Sequence, residues 1–196
     1  MDLIEPVSRS SNLISVKDCF VLIIDVQDFF MKGLSETEQI SYIAKYKHLI
    51  KLCQVLKIPL IVTAEDIKKN GSVNEDILGL LNETSVYDKF IYSCWGQKNI
   101  RKAIEKTQKK VAILCGLETD VCVTQTAIDL LDNNYRVLIL LDLTYSRNPV
   151  EHKIGLKRME FHGAMFGLLK SWQEEITAGV RTSINRIIKE NDLSDI

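Results

Sequence analysis

Three residues of this chain could work together in acyl transfer: Asp25, Lys89 and Cys122. Cys122 lies in the run Gly116-Leu117-Glu118-Thr119-Asp120-Val121-Cys122, just after the apolar stretch Val111 to Leu114. A helix-like pattern begins at about Cys122. A thiol at the start of a helix meets the positive end of the helix dipole, which favours its thiolate. A carboxylate can take the thiol proton, and a lysine cation can stabilise the resulting anion. Each residue also has a plainer reading. An Asp after a strand is often a helix cap, a lone lysine is usually a surface group, and a cysteine in apolar surroundings is usually inert core. The residue types alone leave that choice open.

The elements that must position these groups alternate along the chain. Phe20 to Asp25 is a continuous apolar run ending in a carboxylate, as in a central parallel strand covered on both faces. Ser35 to Leu56 has helical spacing. Pro59 opens a second strand, Leu60 to Thr63, and Asn74 to Leu81 reads as a short helix. A third strand is predicted near Lys89 to Tyr92, a helix over 99–106 and a fourth strand over 110–115. Cys122 to Asp132 is helical, with Asn133 and Asn134 as its stop. Arg136 to Leu141 is the fifth strand, ending at Asp142. A helix over 150–161, a short strand over 164–168 and helices near 171–176 and 182–189 follow. Alternating strands and helices imply a three-layer α/β/α domain with a mostly parallel central sheet. Ligands of such sheets bind beyond the carboxyl ends of the strands. Asp25, Lys89 and Cys122 all fall near such ends. The reading is one domain over 1–196, with a core of about 18–178, an N-terminal arm and a C-terminal helical extension.

Composition excludes several function classes. The 196 residues are 46% apolar and 26% charged, with a net charge of −1, which predicts no general attraction to nucleic acid or to an anionic membrane surface. Basic and acidic residues are interleaved, as in Lys102 to Lys110. No apolar run approaches the length of a membrane span. The five cysteines, Cys19, Cys53, Cys94, Cys115 and Cys122, form no CxxC pair and suggest neither a disulfide framework nor a zinc site. With no signal-peptide pattern, the expected compartment is the reducing cytoplasm. GxGxxG and GxxxxGK[ST] are absent, so no nucleotide cofactor is expected.

Four ordered motifs resemble the isochorismatase-like cysteine hydrolase superfamily, which includes nicotinamidases and isochorismatases. They are Leu22-Ile23-Ile24-Asp25-Val26-Gln27, Lys89-Phe90-Ile91-Tyr92-Ser93-Cys94-Trp95, Gly116 to Ala127, and His152 to Met159 followed by Gly163-Ala164. The similarity runs from about Phe20 to about Ile176. It implies a fold of the Rossmann-like type, with Cys122 as nucleophile, Asp25 as general base and then acid, and Lys89 as third triad member. It implies a non-proline cis peptide between Leu117 and Glu118, and an oxyanion hole from the Glu118 and Cys122 backbone N–H groups. Gln27 could orient substrate or Lys89, and Phe29 and Trp95 resemble positions near the pocket mouth. Hydrogen bonding within its loop is the plain alternative for Gln27, and core packing for the two aromatics.

The chain departs from that pattern at one point. The metal-binding nicotinamidases carry an Asp-x-His pair after the second strand, whereas Thr63 to Asn70 here contains no histidine. Glu65 and Asp66 read as solvated carboxylates, and no metal or other cofactor is expected. His152 and His162 lack metal-ligand spacing, so each reads as a helix-surface or satisfied core group. The expected activity is cleavage of a C–N bond in a small amide or ureido compound through a Cys122 thioester. The alternatives are isochorismatase-type vinyl-ether hydrolysis and a catalytically silent binding module. The resemblance also implies a homo-oligomer; the C-terminal segment with Ile184, Ile187 and Ile188 is a candidate contact, and a terminal helix folding back on its own domain is the alternative.

Overall fold

A computed structural model describes residues 10–82, 84–177 and 190–191. The elements run β1 (Cys19–Ile24), α1 (Asp28–Met31), α2 (Glu36–Leu56), β2 (Leu60–Glu65), α3 (Ile67–Asn70), α4 (Glu75–Leu78), β3 (Val86–Lys89) and α5 (Lys98–Lys106). They continue with β4 (Val111–Leu117), a π-helical turn (Thr119–Val123), α6 (Thr124–Asp132), β5 (Arg136–Tyr145), α7 (Pro149–Phe161), β6 (Met165–Gly167) and α8 (Leu169–Thr177). The six strands form one sheet of order β3-β2-β1-β4-β5-β6. Every neighbouring pair is parallel.

The unbroken apolar runs of β1 and β4 explain why these strands lie at the centre. Each has two faces to cover, and both faces are dry. Val21 and Ile23 join a core with α2 and α8. Phe20, Leu22 and Ile24 join a second core with α5, α6 and α7. A large aliphatic or aromatic side chain contributes about 1.5–3 kcal/mol when fully buried. Helix α2 begins with a capping box, in which Ser35 and Glu38 satisfy each other's backbone N–H groups.

The strand order reverses direction between β1 and β4, where a parallel sheet opens a crevice at its carboxyl end. Gly116 allows the close approach of these two strands. Its φ is +129°, and a Cβ there would stand 2.0 Å from the Ile24 carbonyl oxygen. Asp25 follows β1 directly and itself has φ +52°, a left-handed conformation that Asp tolerates better than most residues. Gly155 serves a similar end on α7, since a Cβ would lie 2.6 Å from the Asp120 Cα in the π-turn.

Three element boundaries differ from the sequence reading. The third strand is Val86–Lys89, so Lys89 ends it. Phe90, Ile91 and Tyr92, whose apolarity favoured a strand, are exposed instead, and the Phe90 N–H donates to Gln97 Oε1 at 2.9 Å. Strand β5 runs through Asp142 to Tyr145, beyond its expected end. The register against β4 shifts between Leu114 and Gly116, and Asp142 there accepts from the Leu169 N–H at 2.9 Å and faces Lys45 at 3.6 Å. The helical segment carrying the nucleophile candidate starts at Thr119, so Cys122 lies inside a π-helical turn instead of at a helix start. The predicted helix over 182–189, with Ile184, Ile187 and Ile188, lies outside the described residues.

Candidate active site

Asp25, Lys89 and Cys122 arrive from the ends of β1, β3 and β4 and meet at one buried point. Lys89 Nζ lies 2.9 Å from Asp25 Oδ2 and 3.4 Å from Cys122 Sγ, and it also donates to the Ile91 carbonyl at 3.2 Å. The Thr63 hydroxyl donates to Asp25 Oδ1 at 2.7 Å. Oδ2 lies close to the ammonium but has no aligned hydrogen-bond donor, so the contact is a charge pair. The Lys89 and Asp25 side chains are wholly buried, so removing either partner would strand the other as an unpaired charge.

The electrostatics of the three groups are coupled. Burial raises the Asp25 carboxyl above its ordinary value, against the opposing pull of Lys89. Burial disfavours the Lys89 ammonium. The Asp25 carboxylate, helped by the nearby Cys122 and Cys94 thiols, outweighs that and leaves its pKa raised. The Cys122 thiol is also raised, first by burial and then by Asp25, with Lys89 opposing. This runs against the expectation that the helix start eases thiolate formation. One ammonium shares a buried site with a carboxylate and a thiol, and it opposes the rise of both. All five thiols are raised by burial, Cys19 and Cys94 to about 12.

A cavity of about 200 Å³ opens onto the thiol and is lined by Phe30, Glu65, Tyr92, Glu118, Val121 and Cys122. Of the five cysteines only Cys122 borders it. The Leu117–Glu118 peptide is cis. The Glu118 side chain is held by Arg147 through three contacts, Nε at 2.8 Å, Nη2 at 3.1 Å and the backbone N–H at 3.3 Å. The π-turn is braced from α7 and β5. Thr119 Oγ1 and His152 Nδ1 share a hydrogen bond at 2.8 Å, and the Ser146 hydroxyl donates to Asp120 Oδ1 at 2.7 Å. His152 is thus a satisfied, half-buried group, its pKa lowered by burial.

The three expected substrate contacts fall elsewhere. Gln27 is fully buried, with its amide nitrogen on the Glu65 and Gly71 carbonyls at 3.0 and 2.6 Å and its oxygen on the Glu65 N–H at 2.7 Å. Its polar atoms are consumed in bracing the loop after β2. Phe29 packs edge-on to Phe30 and lies near Lys32 and Arg147. Trp95 packs against Tyr135 and Arg101. Phe30 and Tyr92, close neighbours in sequence, take the pocket positions. Glu65, expected to be solvated, is half-buried in the pocket wall. Its position at the carboxyl end of the strand beside β1 is the signal that could have found it.

Asp25, Glu65 and Cys122 each offer one donor atom, and these atoms lie within 4.8 Å of one another. A divalent metal does not fit them, because the Lys89 ammonium already sits beside two of the three. Asp66 is turned away and caps α3 through the Lys69 N–H at 3.3 Å.

Comparison with known proteins places the chain in a family. The isochorismatase domain pattern matches residues 19–174. The chain belongs to the isochorismatase family. Isochorismatase family protein 2A of Dictyostelium discoideum is 36% identical over 157 residues, spanning 76% of this chain and 78% of that protein. Among solved structures, YcaC from Pseudomonas aeruginosa, determined with hexane-2,5-diol and covalent acrylamide, superposes with a TM-score of 0.82 at 22% identity, covering 92% of this chain and 90% of that one. YcaC from Escherichia coli, described as an octameric hydrolase of unknown specificity, gives 0.83 at 19% identity over 95% of each chain. These likenesses show the isochorismatase fold. Among the described residues, no helix is long and apolar enough to cross a membrane.

Proposed function

We propose that this isochorismatase-family chain is a single-domain cysteine hydrolase that cleaves a C–N bond in a small amide or ureido compound. The observation that carries the reading is the buried Lys89 ammonium between Asp25 at 2.9 Å and Cys122 at 3.4 Å, beneath a cavity of small-molecule size. At about 30 Å³ per water, 200 Å³ holds the equivalent of about seven waters.

In this reading Asp25 takes the thiol proton as Cys122 Sγ attacks the substrate carbonyl. The sulfur–carbon bond forms, and the carbonyl pair moves onto oxygen. That oxyanion is received by the Glu118 and Cys122 backbone N–H groups, a stabilisation worth about 3 kcal/mol per donor in comparable sites. Asp25 returns the proton to the nitrogen, the C–N bond breaks, and ammonia or an amine leaves. Water then attacks the thioester, Asp25 takes its proton, and the thiol is regenerated as the carboxylic product departs. With burial and Asp25 both raising the thiol's pKa, its activation in this reading depends on Asp25 at the moment of attack. Lys89 stabilises whichever of the two groups carries the negative charge. Homo-oligomerisation belongs to the same reading, supported by the octamer described for the E. coli relative of this fold. A reducing compartment is supported by the five free thiols.

The test is a panel of primary amides and ureido compounds, with intact-mass detection of an acyl group on Cys122. Asp25→Asn should lower turnover by about 10²–10⁴-fold, and Cys122→Ala should remove both turnover and the adduct. Near-wild-type turnover in Asp25→Asn would refute the mechanism.

A further inference from the structure

The charges around the cavity do not cancel. Asp25 is balanced by Lys89, and Glu118 by Arg147. Glu65 makes no ion pair among the described residues, and its carboxylate accepts no hydrogen bond there. Burial raises its pKa, and beyond that Lys89 and Lys69 pull it down while Asp25 and Asp66 push it up. Its backbone, by contrast, is held firmly by Gln27 and Asn70 at both N–H and carbonyl. One of its carboxylate oxygens stands within 4.8 Å of Cys122 Sγ. The other lining groups are two aromatic rings, an aliphatic side chain and the neutralised Glu118, and among the described residues no lysine, arginine or histidine lines the cavity.

We propose that Glu65 makes this pocket select substrates carrying a hydrogen-bond donor or positive charge close to the scissile carbonyl, and reject substrates carrying a carboxylate there. A carboxylate brought beside Cys122 would face Glu65, and the nearest ammonium, Lys89, is already paired with Asp25. A protonated amine or an amide N–H would meet an acceptor whose lone pairs have no partner, with the Phe30 and Tyr92 rings nearby. The same charge disfavours the dicarboxylate vinyl ether from which the family takes its name. As a statement about amides, the inference rests on the cysteine hydrolase reading above. As a statement about the pocket's charge, it stands apart from that reading.

Two measurements separate these. The first uses thiol reagents and needs no turnover. Cys122 attacks the sulfenyl sulfur of a methanethiosulfonate, a disulfide forms, the S–SO₂ bond breaks, and methanesulfinate leaves while the thiol proton passes to Asp25 or solvent. The aminoethyl (cationic), methyl (neutral) and sulfonatoethyl (anionic) reagents are compared by mass mapping at Cys122. The cation-to-anion rate ratio, corrected for the same ratio on a free cysteine peptide, should exceed about tenfold and fall towards one in Glu65→Gln. Glu65→Asp, which keeps the charge, should retain the preference and covers the case in which Gln disturbs the loop. A ratio near one in the wild type, a ratio unchanged by Glu65→Gln, or a Cys122 that none of the three reagents reaches would each overturn the proposal. The second measurement is kcat/KM for β-alaninamide, propionamide and succinamate, expected to be lowest for the anion, with the spread compressed in Glu65→Gln. If the reagent ratio behaves as stated but no amide is cleaved, the charge selectivity stands and the amidase reading fails.

Discussion

Replacing Lys89 with Met tests the buried charge pair directly, because Met keeps most of the stem and removes the ammonium. The variant leaves Asp25 fully buried without its cation. Such a carboxyl escapes its desolvation penalty by staying protonated in the folded state, and the cost of doing so is set by pH. With an ordinary value of 3.8, the carboxyl is ionised in the unfolded chain at pH 7. Keeping it neutral in the fold then costs about 1.36 kcal/mol for each pH unit above 3.8, or roughly 4 kcal/mol at pH 7 and roughly 1.6 kcal/mol at pH 5. The sign follows from a folded pKa raised above the unfolded one. Stability is fullest below pH 3.8 and is lost as pH rises towards the raised folded value. In a 196-residue chain at about 2–4 °C per kcal/mol, the deficit should be roughly 8–16 °C at pH 7 and roughly 3–6 °C at pH 5. Thermal unfolding followed by circular dichroism at both pH values reads it. The double variant Asp25→Asn with Lys89→Met has no buried charge left at this point and should recover most of the loss at pH 7, with little pH dependence. A deficit that is equal at both pH values, or a double variant no more stable than the single one, would refute the reasoning.

Two further outcomes follow from the same geometry. Cys122 should react with iodoacetamide at neutral pH before Cys19, Cys53, Cys94 and Cys115, because it alone borders the cavity while the others are sealed in the two cores. Mass mapping of the native protein checks this, and faster modification of Cys94 would contradict it. Thr63→Val removes the 2.7 Å hydrogen bond to Asp25 Oδ1, an interaction of about 1.5–3 kcal/mol that favours the ionised carboxylate. The base is active only when ionised, so turnover falls as pH drops through its raised pKa. The acid limb of kcat/KM should therefore move to higher pH by about one to two units in the variant. An unmoved limb would remove Asp25 from the role of base.

The layers of the fold are legible because β1 and β4 are apolar on both faces, a pattern that only a covered central strand tolerates. The strand boundaries are less so, and each error has a physical cause. Phe90 to Tyr92 has the composition of a strand, but Gln97 captures the Phe90 backbone and ends the pairing at Lys89. Asp142 looks like a strand terminus, yet the Leu169 N–H and Lys45 satisfy its carboxylate within β5. The partners of Asp142 are distant in sequence and Gln97 lies seven residues beyond Phe90, so in neither case does the strand-like run itself show where pairing ends.

The same division runs through the site. Asp25, Lys89 and Cys122 are legible because parallel strands deliver their carboxyl ends to one crevice, whatever the loops do. Side-chain direction is not legible in this way. Gln27, Phe29 and Trp95 sit beside the pocket in sequence and turn into the scaffold, whereas Phe30, Tyr92 and Glu65 turn into the cavity. The helix-dipole argument for an easier thiolate is incomplete for a related reason. It treats Cys122 as a lone thiol at a helix end, but the thiol shares one buried ammonium with a stronger acid. In the proposed mechanism, an ionised Asp25 beside a protonated Cys122 would let attack on a carbonyl and transfer of the thiol proton occur together.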